Sequence, residues 1–90
     1  SAVPLEIAVR KPVAASYSGP TFELMFSVVC SQLIKNEIET KISSLGESIS
    51  VSGVEPSFNF HIHTDEPHVV IESCEDTVEI TNIRISELGN

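Results

Sequence analysis

The sequence predicts an α+β domain of order strand, helix, strand, strand, helix, strand, with both helices on one face of an antiparallel sheet. Three observations predict it. "TFELMFSVVC" (21–30) and "FNFHIHT" (58–64) alternate apolar and polar residues with period two, the pattern of half-buried strands. Segments with apolar residues at helical spacing follow each of them. Clean alternation in every strand, rather than continuous apolar runs, implies a sheet with one covered face and one open face.

Residues 1–20 (SAVPLEIAVRKPVAASYSGP) hold three of the five prolines and no helical period. Proline removes backbone donors and restricts its neighbours, so an extended arm or interdomain linker is expected here. Val3, Leu5, Ile7 and Val9 alternate, which also suits a sheet edge. The folded domain is expected over 21–90.

In the first strand Phe22, Leu24, Phe26, Val28 and Cys30 share one face, and Thr21, Glu23, Met25 and Ser27 the other. In "SQLIKNEIETKISSLGES", Ile34, Ile38, Ile42 and Leu45 fall at helical spacing. Asn36 with Glu39 three residues on fits a capping box, and Gly46 a left-handed stop. "SISVSG" alternates again, with Pro56 in the turn after it. Thr64, Asp65, Glu66 and Pro67 read as a helix start, an oxygen-bearing cap followed by proline near the first position. Val70, Ile71 and Cys74 form the buried stripe of that helix. In "ITNIRIS", Ile83 and Ile85 face one way, Asn82 and Arg84 the other. Two right-handed βαβ units in this order make the ferredoxin-like sandwich. The expected core holds Phe22, Leu24, Phe26, Ile38, Ile42, Phe60, Ile62, Val70 and Ile85.

Ninety residues allow one core. The net charge of −8, from 13 acidic and 5 basic residues, repels phosphate backbones and argues against a nucleic-acid partner. No apolar run suggests a membrane span, and no stretch has the plan of a signal peptide, so a cytoplasmic chain is expected. Cys30 and Cys74 have no metal or redox spacing and read as reduced thiols.

In the expected topology the first and third strands are central neighbours. If Phe58, Phe60 and Ile62 bury against the helices, Asn59, His61 and His63 project from the open face, beside Glu23 and Met25, with Arg84 on the far side. Three readings of the His61–His63 pair stay open: two ligands of a metal site that Glu23 could complete, a general acid–base group with Glu23, or polar residues hydrogen-bonded on a wet face. His68 is expected to be exposed, and the Asp65-Glu66 pair to cap the second helix. No P-loop, dinucleotide fingerprint or nucleophile elbow occurs, so this fragment alone is expected to bind no ATP and to have no enzyme activity.

"SLGESISVSG", "FNFHIHTDEPHVVIES" and "ITNIRI" together resemble the middle domain of the fatty acid kinase family, also called Dak-phosphatase or dihydroxyacetone-kinase-like proteins. Members carry similar L-G-D-S, V-H-V-H-T-x-D-P and N-I-K-I segments at matching distances, and "GPTFELMF" is similar to their G-P-x-Y-E-x-M-Y form. The resemblance covers about residues 17–88. It implies a cytoplasmic parent, an ATP-dependent kinase whose separate N-terminal domain holds Mg-ATP. That parent would transfer phosphate to a fatty acid presented by a DegV-type lipid-binding protein. It implies partners in the parent's other domains, and association of the open face as a homodimer is a further expectation. In some members a cysteine stands where this chain has Thr21, and with both histidines it resembles a zinc-ligand set; Thr21 is a poor zinc ligand. Val78 also replaces a glycine usual after the second helix.

Overall fold

The computed structural model describes residues 17–89. They form β1 (Phe22–Val29), α1 (Gln32–Ile42), β2 (Glu47–Val54), β3 (Ser57–Thr64), α2 (Pro67–Glu75) and β4 (Thr81–Glu87). The strands make one sheet in the order β2-β3-β1-β4, every neighbour antiparallel, which is the expected ferredoxin-like arrangement. Residues 1–16 of the expected arm lie outside the described residues.

The β1–β3 register explains the core. Leu24 pairs with Ile62, Phe26 with Phe60 and Val28 with Phe58, so both central strands present their apolar sides to the helices at the same height. Ile38 and Ile42 of α1 and Val70 and Cys74 of α2 close over them, and all ten residues are at most 2% exposed. Phe26 and Phe60 stack with ring centroids 5.1 Å apart. Thr64 is also buried, its hydroxyl donating to the Leu45 carbonyl and accepting from the Glu66 amide.

Several local expectations are corrected. Ile85 pairs with Leu24 and so has inward parity, yet it is 51% exposed, because β4 is an edge strand that the two helices do not cover. Phe22 is only partly buried because it is the first residue of β1, at the end of the sheet. The cap of α1 is Ser31, whose hydroxyl accepts from the Ile34 amide; Asn36 lies inside the helix, so no capping box forms there. Gly46 has no left-handed backbone. It is needed instead for close approach, since a Cβ there would lie 2.3 Å from the His63 carbonyl oxygen. Helix α2 does begin with proline, but its N-cap Glu66 makes no side-chain cap bond, and Asp65 is used elsewhere. After α2 the chain turns through Thr77 and Val78, whose amides both reach the Cys74 carbonyl, and Val78 packs against the core.

Both thiols are free. Cys74 is fully buried and Cys30 partly so, and burial pushes both up from the ordinary thiol value, away from the reactive thiolate.

Candidate functional site on the open sheet face

Strand parity carries the site. With Phe60 and Ile62 inside, His61 and His63 emerge on the opposite face of β3. Glu23 pairs with His63 and Met25 with His61 across the β1–β3 ladder, while Arg84 stands beside Met25 on β4. The expected gathering of Glu23, His61 and His63 is therefore present, each side chain between 24% and 29% exposed. Arg84 shares the face but has Met25 between it and His61, and among the described residues no ion pair joins it to Glu23. His68 is exposed on α2, away from this face.

Glu23 is the hub. Its Oε2 lies 2.9 Å from His61 Nε2 and 3.5 Å from His63 Nε2, and the two imidazole centroids are 4.8 Å apart. One ligand atom from each of the three residues falls within 4.8 Å of the others. The His61 hydrogen bond, aided by the charge attraction of both imidazoles, holds the Glu23 carboxyl below the usual carboxylate range. A carboxylate lowered in this way adds stability above its unfolded value, and that stability is lost as pH falls through the folded value. Glu23→Gln should accordingly flatten the acid limb of a stability-versus-pH curve below the ordinary range near 4.5. Identical acid limbs for variant and parent in denaturant titrations would show that the Glu23–His61 pair does not form.

The second ring nitrogen of His61 meets a partner that sequence reasoning missed. Its Nδ1 lies 3.0 Å from the backbone carbonyl oxygen of Ser48 on β2. Ser48 has φ 53°, and the β2–β3 register shifts between Glu47 and Ser50. A backbone carbonyl leaves no mark in a side-chain pattern; a bulge in an edge strand is the signal that would have exposed it, and Ser-rich β2 does not announce one.

Thr21 and Asp65 form a separate clasp. Asp65 Oδ1 accepts from the Thr21 amide at 2.8 Å and from the Thr21 hydroxyl at 2.9 Å, joining the start of β1 to the end of β3. The expected capping role of Asp65 gives way to this tie, and the Thr21 hydroxyl is engaged with a carboxylate rather than with the histidines.

A depression beside the cluster, bordered by Met25, Ser27, Asn59, Asn82 and Arg84, measures about 160 Å³. That is below the roughly 300–1,000 Å³ of small-molecule pockets. In its lining the Ser27 hydroxyl donates to Asn59 Oδ1 across the strands at 2.7 Å. No helix among the described residues is long and apolar enough to cross a membrane.

Comparison with known proteins yields no match among curated proteins and none among solved structures. The family model for the middle domain of FakA-like fatty acid kinase proteins matches residues 19–90, a span that contains all six elements and the whole Glu23–His61–His63 cluster. The chain belongs to this family, the FakA-like fatty acid kinase middle domains.

Proposed function

We propose that this domain works inside a longer kinase chain, its histidine-bearing sheet face assisting ATP-dependent phosphotransfer to an acyl acceptor or docking the parent's other domains. The observation that supports this reading is the convergence of Glu23, His61 and His63 on a face that neither helix of the described residues covers. An uncovered, half-polar sheet face with a carboxylate–imidazole network suits contact with charged groups brought by another domain or by an acyl-carrying partner protein of the DegV type. Catalysis by the fragment alone is not part of the reading, because the sequence has no phosphate-cradling loop and Mg-ATP belongs to another domain.

The donor set fits a divalent metal. Two imidazole nitrogens and a carboxylate oxygen within reach of one another suit zinc, and Glu23, His61 and His63 would hold it, with Glu23 standing in for the cysteine that the resemblance places at Thr21. Bound there, the metal would supply charge stabilisation to an approaching phosphoryl or acyl oxygen. Without it, the same residues position a proton: His61 shares one at Nε2 with the Glu23 carboxylate, while the Ser48 carbonyl at Nδ1 fixes the ring. The alternative from another class is a module that dimerises or binds a small ligand through this face.

The test is phosphotransfer by the full-length protein carrying His61→Ala and His63→Ala together. A drop of about tenfold to a hundredfold is expected, in line with removal of a positioned acid–base or electrostatic group. The melting temperature of the 90-residue chain should stay within a few degrees, because both side chains point away from the core. Unchanged phosphotransfer with an unchanged melt would leave the pair as ordinary surface histidines.

A further inference from the structure

We propose that residues 3–9 of the N-terminal arm add to the outer edge of β4 as a fifth, antiparallel strand, their apolar side covering Ile83 and Ile85. This contact is independent of the histidine cluster, which lies on the opposite face of the sheet.

The β4 side of the helix-covered face has a gap. Ile85 opposes Leu24 and has inward parity, yet Ile83 and Ile85 are 47% and 51% exposed. A groove of about 500 Å³ runs between the end of α2 and β4, bordered by Ile71, Ile80 and Ile83 with Glu75, Asp76 and Glu79. No strand of the described residues lies on the outer edge of β4. That edge also presents main-chain groups. The Leu88 amide donates to the Thr21 carbonyl, and bonding positions alternate along an antiparallel ladder. Ile85, opposite Leu24, therefore directs its N–H and C=O away from β1.

The arm matches this edge in pattern, direction, reach and charge. Val3, Leu5, Ile7 and Val9 alternate with Pro4, Glu6, Ala8 and Arg10. Directly opposed residues of an antiparallel pair share a face, and a residue opposite Ile85 turns its main chain toward it. The odd-numbered residues then both cover the isoleucines and bond β4. Pro4, which has no N–H, falls on the outer side, where proline is tolerated. A parallel arm with the same side inward would turn Pro4 toward β4 and lose a bond. The tether is long enough. The Tyr17 ring lies against Gly89, so the arm departs from the C-terminal end of β4. From Val9 to Tyr17 the chain can reach about 26 Å. Ile83 to Gly89 takes about 20 Å of strand. With Ile7 opposite Ile85, Val9 meets Ile83, and Arg10 and Lys11 come beside Glu75, Asp76 and Glu79. Among the described residues no ion pair reaches those three carboxylates. Residues 1–16 hold two of the five basic groups, Arg10 and Lys11, against one of the 13 acidic ones, Glu6. The β4 edge of a second copy would bring the same carboxylates on a chain of net charge −8, whereas the arm brings the opposite sign.

Nuclear Overhauser contacts and amide exchange in the 90-residue chain test the strand directly. Contacts of Ile7 with Ile85 and of Val9 with Ile83 are expected, together with a slowly exchanging Ile85 amide. No contact between arm and β4, or a parallel pattern of contacts, would overturn the proposal. Leu5→Asp combined with Ile7→Asp should speed exchange of the Ile85 amide by about tenfold or more and leave the Phe60 amide of the central strand unchanged. Equal Ile85 exchange in variant and parent would remove the arm from β4. Arg10→Glu combined with Lys11→Glu should also speed Ile85 exchange, and added salt should narrow its difference from the parent; exchange equal to the parent's at low salt would count against the charge match. Mixing isotope-labelled with unlabelled chain identifies the occupant. Contacts within one chain support the proposal, and contacts found only between differently labelled chains would place a second copy on this edge and overturn it.

Discussion

Phe60→Ala is expected to lower the unfolding free energy by about 3–5 kcal/mol, the range for deleting a buried aromatic ring. Phe60 is 1% exposed, stacks on Phe26 across the β1–β3 ladder and pairs with Val51 on β2. It therefore stands at the centre of the sheet's covered face, where the backbone of two neighbouring strands limits collapse into the space left behind. The loss combines the transfer of the ring out of water, the cavity and the forfeited aromatic pair. A domain of this size has roughly 4–11 kcal/mol in total, on the usual scale per residue, so the variant should be close to unfolded at room temperature. Urea titration followed by far-UV circular dichroism measures it. A loss under about 1 kcal/mol would invert the strand parity and place the histidines inside, which would also remove the open-face site.

Gly46→Val should be nearly as damaging, at about 3 kcal/mol or more, through overpacking rather than a cavity. A Cβ at this position would lie 2.3 Å from the His63 carbonyl oxygen and 2.9 Å from the Ile62 side chain. The first contact is with main chain and no rotamer change relieves it, so β2 would have to separate from β3 at its first residues. The effect should reach the site as well. Glu47 pairs with His63 and Ser48 bonds His61, so displacing the start of β2 unseats both histidines. Chemical-shift changes at both imidazoles, together with a lowered urea midpoint, are the expected signature. A variant with the parent's midpoint and unshifted histidine resonances would show that β2 approaches β3 less closely than the structure has it.

Much of the site was legible because strand parity is a local property. Once Phe58, Phe60 and Ile62 are assigned to the core, the side of His61 and His63 follows from the chain's own geometry, and the facing residues Glu23 and Met25 follow from pairing two strands of matched pattern. Val70 and Cys74 were legible in the same way from helical spacing. The misread features share a different physics. Asn36 with Glu39 satisfied a capping pattern, but Ser31 lies where the chain leaves β1, and the first free amides of the helix are there. Ile85 has the inward parity its sequence implies, yet burial depends on what stands above a residue, and β4 lies beyond the reach of both helices.

Alternation and helical spacing by themselves determined the element order, the ferredoxin-like class and the face on which the histidines lie, since each is set by periodicities of two and 3.6 residues within short segments. Only the tertiary structure decided the rest. The Thr21–Asp65 clasp joins residues 44 apart, the close approach at Gly46 concerns a carbonyl on another strand, and the Ser48 contact with His61 comes from a main-chain atom turned by a bulge. Such contacts depend on where separate segments meet and on backbone atoms that every residue shares, so no pattern of side chains along the chain encodes them.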